Sequence, residues 1–238
     1  MHGARLSELW GVPEGIQQYF LLEQKLALAL STEPVFLARE QSSGMRMWVK
    51  FSDGTDESLR RLAVEADILR SLAHPHVLSL KIDKRDFEVP FIGFPWLAEQ
   101  PLADLDADAM SGADRIRLAL SILEIVDYMQ GQDEPVVHGR INTENLWVSP
   151  STCWVRLASF GHAVRSTEEN ELLADREQTL NLLSELLGRG ANAEELKDKI
   201  VEYGIAWVES RRNGMDELHG MLRRQFLSSV TADLQAIS

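Results

Sequence analysis

Two short polar segments in the second half of the chain hold the residues whose types could do chemistry. Residues 138–145 read His-Gly-Arg-Ile-Asn-Thr-Glu-Asn, and Ser159-Phe160-Gly161 begins fourteen residues after Asn145. The guanidinium of Arg140 stays protonated at neutral pH and cannot accept a proton. The neutral hydroxyl of Ser159 is a poorer ligand for Mg²⁺ than a carboxylate is. These two positions therefore offer neither a general base nor a metal-binding acid.

The elements that position these segments begin with a strand and a helix. Residues 57–73 read as an amphipathic helix that contains Glu65, and the strand at Met47-Trp48-Val49-Lys50 is implied by the family resemblance given below. The apolar residues of this helix recur at helical spacing: Leu59, Leu62, Ile68, Leu69 and Leu72. His74-Pro75-His76-Val77 ends the helix, because proline disfavours the helical conformation at the preceding residue.

The remaining elements lie on either side of the two polar segments. Residues 115–130 read as a long helix with an apolar stripe. The strands at residues 89–94 and 154–158, the second of which enters Ser-Phe-Gly, are implied by the family resemblance given next. Asp175 and Glu185, ten residues apart, fall in a further helical segment that ends near Gly188.

The order of these segments resembles that of the protein kinase superfamily, from about residue 20 to residue 188. That family reads V-A-I-K, then a helix with an ion-pairing Glu, then H-[RG]-D-x-x-x-x-N and D-F-G. By this resemblance Lys50 and Glu65 take the ion-pair positions and Asn145 the Asn position. Arg140 replaces the catalytic-base Asp, and Ser159 replaces the Asp that binds magnesium.

The resemblance implies an α+β, two-lobed kinase-like fold. An N-lobe of residues 1–97 would contain a helical extension (1–18), a small antiparallel sheet and one main helix, with Phe94 as gatekeeper and 95–97 as the hinge. A mostly helical, shortened C-lobe of residues 98–238 would contain a degenerate catalytic loop (138–146) and a short activation segment (159–175). Residues 104–114 read as a surface linker, and residues 193–238 as two or three helices.

The nucleotide site of the family is expected to be lost. Aligned on Val35, its three loop glycines become Leu28, Leu30 and Glu33, whereas close backbone approach to phosphates needs glycine. Trp48 stands where the family has a small alanine, and its indole is expected to fill the adenine space, unless its rotamer swings outward.

Lys50, Glu65 and Asn145 are accordingly interpreted as structural vestiges rather than a nucleotide clamp. Lys50 and Glu65 would pin helix to sheet, and Asn145 would hydrogen-bond within its own turn. Arg140 could form an ion pair with Glu65 or Glu33. No cofactor and no bound metal are expected.

Composition narrows the class of partner. The chain has 238 residues, 45% of them hydrophobic, with a formal net charge of −13. That charge opposes nucleic-acid binding, and no apolar run approaches the ~20 residues that span a bilayer. One cysteine, Cys153, agrees with a reducing, cytoplasmic setting. The arginine pairs 60–61, 211–212 and 223–224 are interpreted as solvated faces, and the tryptophans Trp147, Trp154 and Trp207 as packing residues.

The function that the resemblance implies is that of a pseudokinase, which is catalytically inactive and acts as a scaffold or allosteric regulator through protein contacts. Its acidic surface would favour a basic surface on the partner. Two alternatives stay open. One is a kinase-fold enzyme with non-standard nucleotide chemistry, using Lys50, Glu65, Asn145 or the acids Asp133, Glu134 and Glu144. The other is a structural subunit of a larger complex.

Overall fold

The computed structural model describes residues 14–26, 33–96, 99–188, 198, 217–225 and 228. Its contacts divide the chain into two compact units. The first unit is Met1–Ala73 with Leu78–Ala98 and Ser159–Ala163, and the second is His74–Val77 with Glu99–Ala158 and Val164–Ser238. Helices and antiparallel strands occur together, so the α+β class predicted from the sequence is confirmed. Most of the helices predicted over 193–238, and most of the extension 1–18, fall outside the described residues.

The first unit is built on a five-stranded antiparallel sheet. Its strands are β1 (Phe20–Leu26), β2 (Val35–Glu40), β3 (Arg46–Phe51), β4 (Ile82–Lys84) and β5 (Phe91–Pro95). Their spatial order is β1-β2-β3-β5-β4. β5 begins two residues after the start predicted for it, because Pro90 cannot donate a ladder hydrogen bond.

One face of this sheet carries an apolar core, and the alternation of side chains along β3 shows how it forms. Met47, Val49 and Phe51 point into that core with the aromatic rings of neighbouring strands and Ile16 from helix α1 (Glu14–Gln17). Because side chains alternate between faces, Trp48 and Lys50 lie on the opposite face. The sheet therefore presents Lys50 away from its apolar core.

Helix α2 (Asp56–Ser71) is set by its caps. The Thr55 hydroxyl accepts a hydrogen bond from the Ser58 N–H, acidic residues occupy the first turn, and Arg70 lies in the last. These placements match the helix dipole and satisfy end groups. The helix stops at Ser71, two residues before the predicted end. Leu59 was assigned to its apolar stripe, and that assignment is wrong, since the residue is 36% exposed.

The second unit contains the two longest helices described, α3 (Gly112–Gln130) and α4 (Glu169–Leu187). α3 starts three residues earlier than predicted because Ser111 and Asp114 form reciprocal hydrogen bonds at its N-terminus. The interval 104–114 is thus only partly a linker. It also holds the end of a 3₁₀ turn (Leu102–Asp104) and the first turn of α3.

Short strands complete the second unit. β6 (Gln100–Pro101), β8 (Leu146–Val148) and β9 (Val155–Leu157) form a three-stranded antiparallel sheet, and β7 (Val136–Val137) pairs with β10 (Val164–Arg165). The strand predicted over 154–158 is therefore present but one residue shorter at each end. Within the described ranges, no helix is both long and apolar enough to cross a membrane.

Candidate functional site

Lys50 and Glu65 form a buried ion pair in the first unit. Lys50 Nζ on β3 lies 2.6 Å from Glu65 Oε2 on α2, and the two side chains are 8% and 2% exposed. The predicted ion pair between sheet and helix is thereby confirmed. At this burial each charge depends on the other, because an unpaired ion would pay a large desolvation cost.

The Ser159-Phe160-Gly161 segment packs on the same helix. The Phe160 N–H donates to Glu65 Oε1 at 3.2 Å, so the two carboxylate oxygens of Glu65 serve Lys50 and the segment separately. A Cβ on Gly161 would lie 3.3 Å from Arg61 Cβ and 3.5 Å from the Arg61 carbonyl oxygen. Glycine therefore permits the close approach of this segment to α2. Ser159 itself adopts a left-handed backbone conformation, with φ of 68°.

A second ion pair joins α2 to the residues just before β2. Arg61 Nε lies 2.5 Å from Glu33 Oε1, with side-chain exposures of 13% and 7%, and Arg61 Nη1 also contacts Glu57. The interpretation of Arg60-Arg61 as one solvated face is therefore wrong for Arg61 and right for Arg60, which is largely exposed. Glu33 is the only one of the three predicted glycine-loop positions that is described, since Leu28 and Leu30 fall outside.

A signal for this second pair was available in the sequence. Arg61 lies four residues before Glu65 and four after Glu57, and residues at that spacing share one helix face. Arg60 lies three residues after Glu57 and can also pair with it, but it is five residues from Glu65, a spacing that does not share a helix face. Sequence spacing could therefore have separated the two arginines, but it could not have identified Glu33 as the partner.

Trp48 lies on the Lys50 face of the sheet. Its cross-strand neighbours are Leu37 on β2 and Phe94 on β5, both buried, while Trp48 itself is partly exposed. That the indole fills an adenine space stays a prediction. The residue proposed as gatekeeper, Phe94, is 3% exposed, and the hinge residue Leu97 falls outside the described ranges.

In the second unit, Asp175 on α4 holds the start of the 138–145 segment. Its carboxylate accepts hydrogen bonds from the His138 N–H at 2.5 Å and the Gly139 N–H at 2.7 Å. Gln178, one turn later, accepts from the Ile141 N–H at 2.8 Å. Burial raises the pKa of Asp175 to about 6, against the lowering effect of the two N–H groups.

The Asn145 side chain closes the turn that contains Arg140. Asn145 Nδ2 donates to the Arg140 carbonyl oxygen at 2.9 Å, and its own N–H donates to Asn142 Oδ1 at 3.1 Å. The hydrogen-bonding role predicted for Asn145 within this turn is thus confirmed. The acids suggested as partners for Arg140 are each engaged by another cation, Glu65 by Lys50 and Glu33 by Arg61.

Three further acids were named as possible catalytic carboxylates. Asp133 and Glu134 are exposed after α3, and Glu134 forms an ion pair with Arg165 at 3.1 Å. The Oε2 atom of Glu144 is buried and has no hydrogen-bond partner among the described residues. Among all the residues that the structure describes, no three His, Cys, Asp or Glu side chains cluster in a way that could hold a metal ion.

One aromatic residue differs from its predicted role. Trp154 was interpreted as a packing residue, but it is 41% exposed, and its ring centroid lies 4.3 Å from that of His76. His76 is fixed by a hydrogen bond between Nδ1 and the Val155 carbonyl oxygen at 2.7 Å. Trp154 thus packs against His76 and is also exposed to solvent.

No known protein-family profile matches this sequence, and no curated protein matches it. Functional assignment therefore rests on the residues and their geometry. Lys50 and Glu65 make an internal ion pair, and Asn145 hydrogen-bonds to the backbone of its own turn.

Proposed function

We propose that this protein is a pseudokinase, a member of the kinase-like fold that no longer transfers phosphate and that acts through protein contacts. Under this proposal the two compact units are the N-lobe and C-lobe of a two-lobed kinase-like fold, with residues 1–97 and 98–238 as approximate limits. The activation segment would be the short stretch 159–175.

The observation that carries the proposal is the bonding of Glu65. Its carboxylate joins Lys50 on the sheet to the Phe160 N–H beside Ser159, with both contacts buried. Under this proposal these contacts are what remains of the framework that aligns a nucleotide, while Ser159, at the position where the family binds metal, has only a hydroxyl. This combination favours retention of the fold for a structural purpose.

The charge states of residues 33, 140 and 159 oppose catalysis. Phosphoryl transfer depends on positioning and on electrostatic stabilisation of the phosphates, largely by metal ions. Arg140 cannot act as a base, and Ser159 cannot replace an anionic metal ligand. Glu33, paired with Arg61, adds a carboxylate at a position where the kinase family has a glycine close to the phosphates. The residues at positions 33 and 159 oppose ATP–Mg²⁺ binding, and the residue at position 140 removes the catalytic base.

The partner that suits the whole molecule is a protein with a basic contact surface. A net charge of −13 produces a negative field that attracts cationic surfaces and repels nucleic acid. Scaffolding and allosteric activation of another enzyme both need only such contacts.

Calorimetry with ATP, with and without Mg²⁺, tests the proposal on the intact chain. We expect no Mg²⁺-dependent binding by the wild type at micromolar concentrations and no label transfer from any nucleoside triphosphate by mass spectrometry. Ser159→Asp returns a carboxylate to the metal position, and Ser151→Asp, in an exposed turn, is the matched charge control.

The outcomes separate the alternatives. Mg²⁺-dependent binding by the wild type, or a nucleotide-derived adduct on the protein, would establish the enzyme alternative and overturn the proposal. Migration of the native protein only within a stable assembly of fixed composition would favour the structural-subunit alternative. An inert, free wild type supports the pseudokinase.

A further inference from the structure

One end of the sheet in the first unit presents a mixed basic and apolar surface. Leu21, Arg39 and Arg46 are directly opposite one another on β1, β2 and β3, so their side chains share one face. Trp96 lies beside Arg46 in this row, and Met45 is the chain neighbour of Arg46. Leu21 and Met45 are 60% and 65% exposed. We call these five residues the Arg46 surface.

The Arg46 guanidinium lies between an acid and an aromatic ring on this surface. Its Nε lies 2.8 Å from Glu23 Oε2 as an ion pair, and its central carbon lies 5.3 Å from the centroid of the Trp96 ring. Within the described residues, no protein group accepts a hydrogen bond from its Nη1 or Nη2.

Arg39, on the neighbouring strand, pairs with the same acid as Arg46. Its Nε and Nη2 contact Glu23 Oε1, and its Nη1 donates to the Gly44 carbonyl oxygen at 2.9 Å. Glu23 thus neutralises only one of two guanidinium groups. The surface keeps a local positive charge within a chain whose net charge is −13.

We infer that the Arg46 surface is a docking site for an acidic, apolar segment of a partner protein. The end of a guanidinium that carries Nη1 and Nη2 matches a carboxylate, which accepts two parallel hydrogen bonds. Leu21, Met45 and Trp96 would contact apolar side chains on either side of that carboxylate. Arginine, tryptophan and methionine are the residue types enriched at the centres of protein interfaces.

The net charge of the molecule favours a protein segment over nucleic acid as the ligand of the Arg46 surface. Nucleic acid also offers anions, but a chain with this net charge repels a polyphosphate backbone over its whole length. A short segment with one or two carboxylates, surrounded by apolar side chains, avoids most of that repulsion. A protein segment is therefore the occupant that local charge and exposed apolar area favour together.

Selection from a phage-displayed library of random short peptides tests this inference. The selection uses the wild type as target and the Arg46→Met variant as competitor in solution. Methionine keeps an apolar stem over Trp96 and removes the charge. We expect enriched peptides to carry Asp or Glu between apolar residues. By fluorescence anisotropy, we expect Arg46→Met to weaken the best peptide about tenfold or more, as for the loss of a charge-assisted hydrogen bond.

Matched variants make the result specific. Arg117→Met removes an arginine of similar exposure, paired with Asp114 on α3, and should leave peptide affinity unchanged. Replacing the peptide carboxylate by its amide should weaken wild-type binding as much as Arg46→Met does. Thermal melts of Arg46→Met and Arg117→Met show whether the fold is intact. Arg46→Lys serves as a second variant at the same position, and it should weaken binding because lysine cannot make the bidentate contact with a carboxylate.

Four results would overturn the inference: no enriched peptide, enrichment without acidic residues, equal affinity for Arg46→Met, or tighter binding of a single-stranded DNA than of the peptide. Self-association abolished by Arg46→Met would assign the surface to a second copy instead. The inference rests on the protein-contact role proposed above. Nucleotide chemistry in the wild type would remove that role and leave the peptide affinities unchanged, whereas a peptide failure alone would remove only the Arg46 surface.

Discussion

Adjacent arginines on α2 show how position decides what a single charge does. Arg60 is largely exposed and pairs with Glu57 within the same helix. Arg61 is buried to 13% exposure and pairs with Glu33, 28 positions earlier in the chain. A surface pair is screened by water, while a buried pair is costly to break because one ion is left without compensation.

Replacing each arginine by methionine should separate the two roles. We expect Arg61→Met to lower the free energy of unfolding by about 3 kcal/mol, since Glu33 would keep a buried, uncompensated charge. Arg60→Met, the neighbouring control, should have no measurable effect. Urea denaturation followed by circular dichroism gives both values.

A double variant checks the cause of that loss. Adding Glu33→Gln to Arg61→Met removes the stranded carboxylate, so part of the stability should return. If the double variant is as unstable as the sum of the two single variants, the ion pair is not the source of the effect.

At the scale of elements, Asp175 connects α4 to the beginning of the 138–145 segment. One carboxylate accepts two consecutive backbone N–H groups, from His138 and Gly139. Gly139 has φ of 76°, a conformation that favours glycine, so the turn can aim both donors at the same side chain. The segment is thus positioned by a residue of α4 that lies 37 positions after His138 in the sequence.

This connection predicts a pH dependence of stability. Burial raises the pKa of Asp175 in the folded protein to about 6, from an ordinary value of 3.8. Between these values the folded state holds the proton more tightly than the unfolded state. The contribution of Asp175 is therefore complete below the unfolded pKa and is lost as the pH rises through about 6.

Comparison with Asp175→Asn isolates that contribution, because the other titrating groups are common to both proteins. From about pH 4 to about pH 7, we expect the stability of the wild type relative to the variant to fall by up to about 3 kcal/mol. Denaturant unfolding at several pH values measures it. A relative stability that rises over this interval would show that the two N–H groups outweigh burial and keep the carboxylate ionised.

For the whole molecule, charge is the dominant property. The 37 acidic and 24 basic residues leave a net charge of −13. This field acts beyond individual contacts, and it weakens as salt shortens the screening length. The Arg46 surface is a local exception to it.

Binding to simple polymers should follow this net charge. We expect the protein to bind poly-lysine at low salt and to release it at high salt, and to show no binding to a single-stranded DNA under the same conditions. Fluorescence anisotropy with labelled polymers measures both. Tight DNA binding that persists at high salt would contradict this expectation.

Local patterns predicted the elements well where the pattern was itself the physical cause. The helix Asp56–Ser71 follows from apolar spacing together with the Thr55 cap, and β3 follows from a run of strand-forming residues before Lys50. Boundaries were less predictable, because they depend on individual caps such as Ser111 with Asp114. Leu59 fits the helical spacing and is nonetheless exposed, since spacing alone does not say how wide the buried face is.

The amino-acid sequence by itself determined that residues 140 and 159 carry no carboxylate, because residue type does not depend on folding. The α+β class and the pairing of Lys50 with Glu65 were predicted only through the resemblance to the protein kinase superfamily, and the structure then confirmed both. Only the tertiary structure decided that Arg61 is buried against Glu33, that Phe160 bonds to Glu65, and that Arg46 rests between Glu23 and Trp96. Such contacts join residues far apart in the chain. Burial sets the strength of the interaction between two charges, and it arises only when the elements pack together.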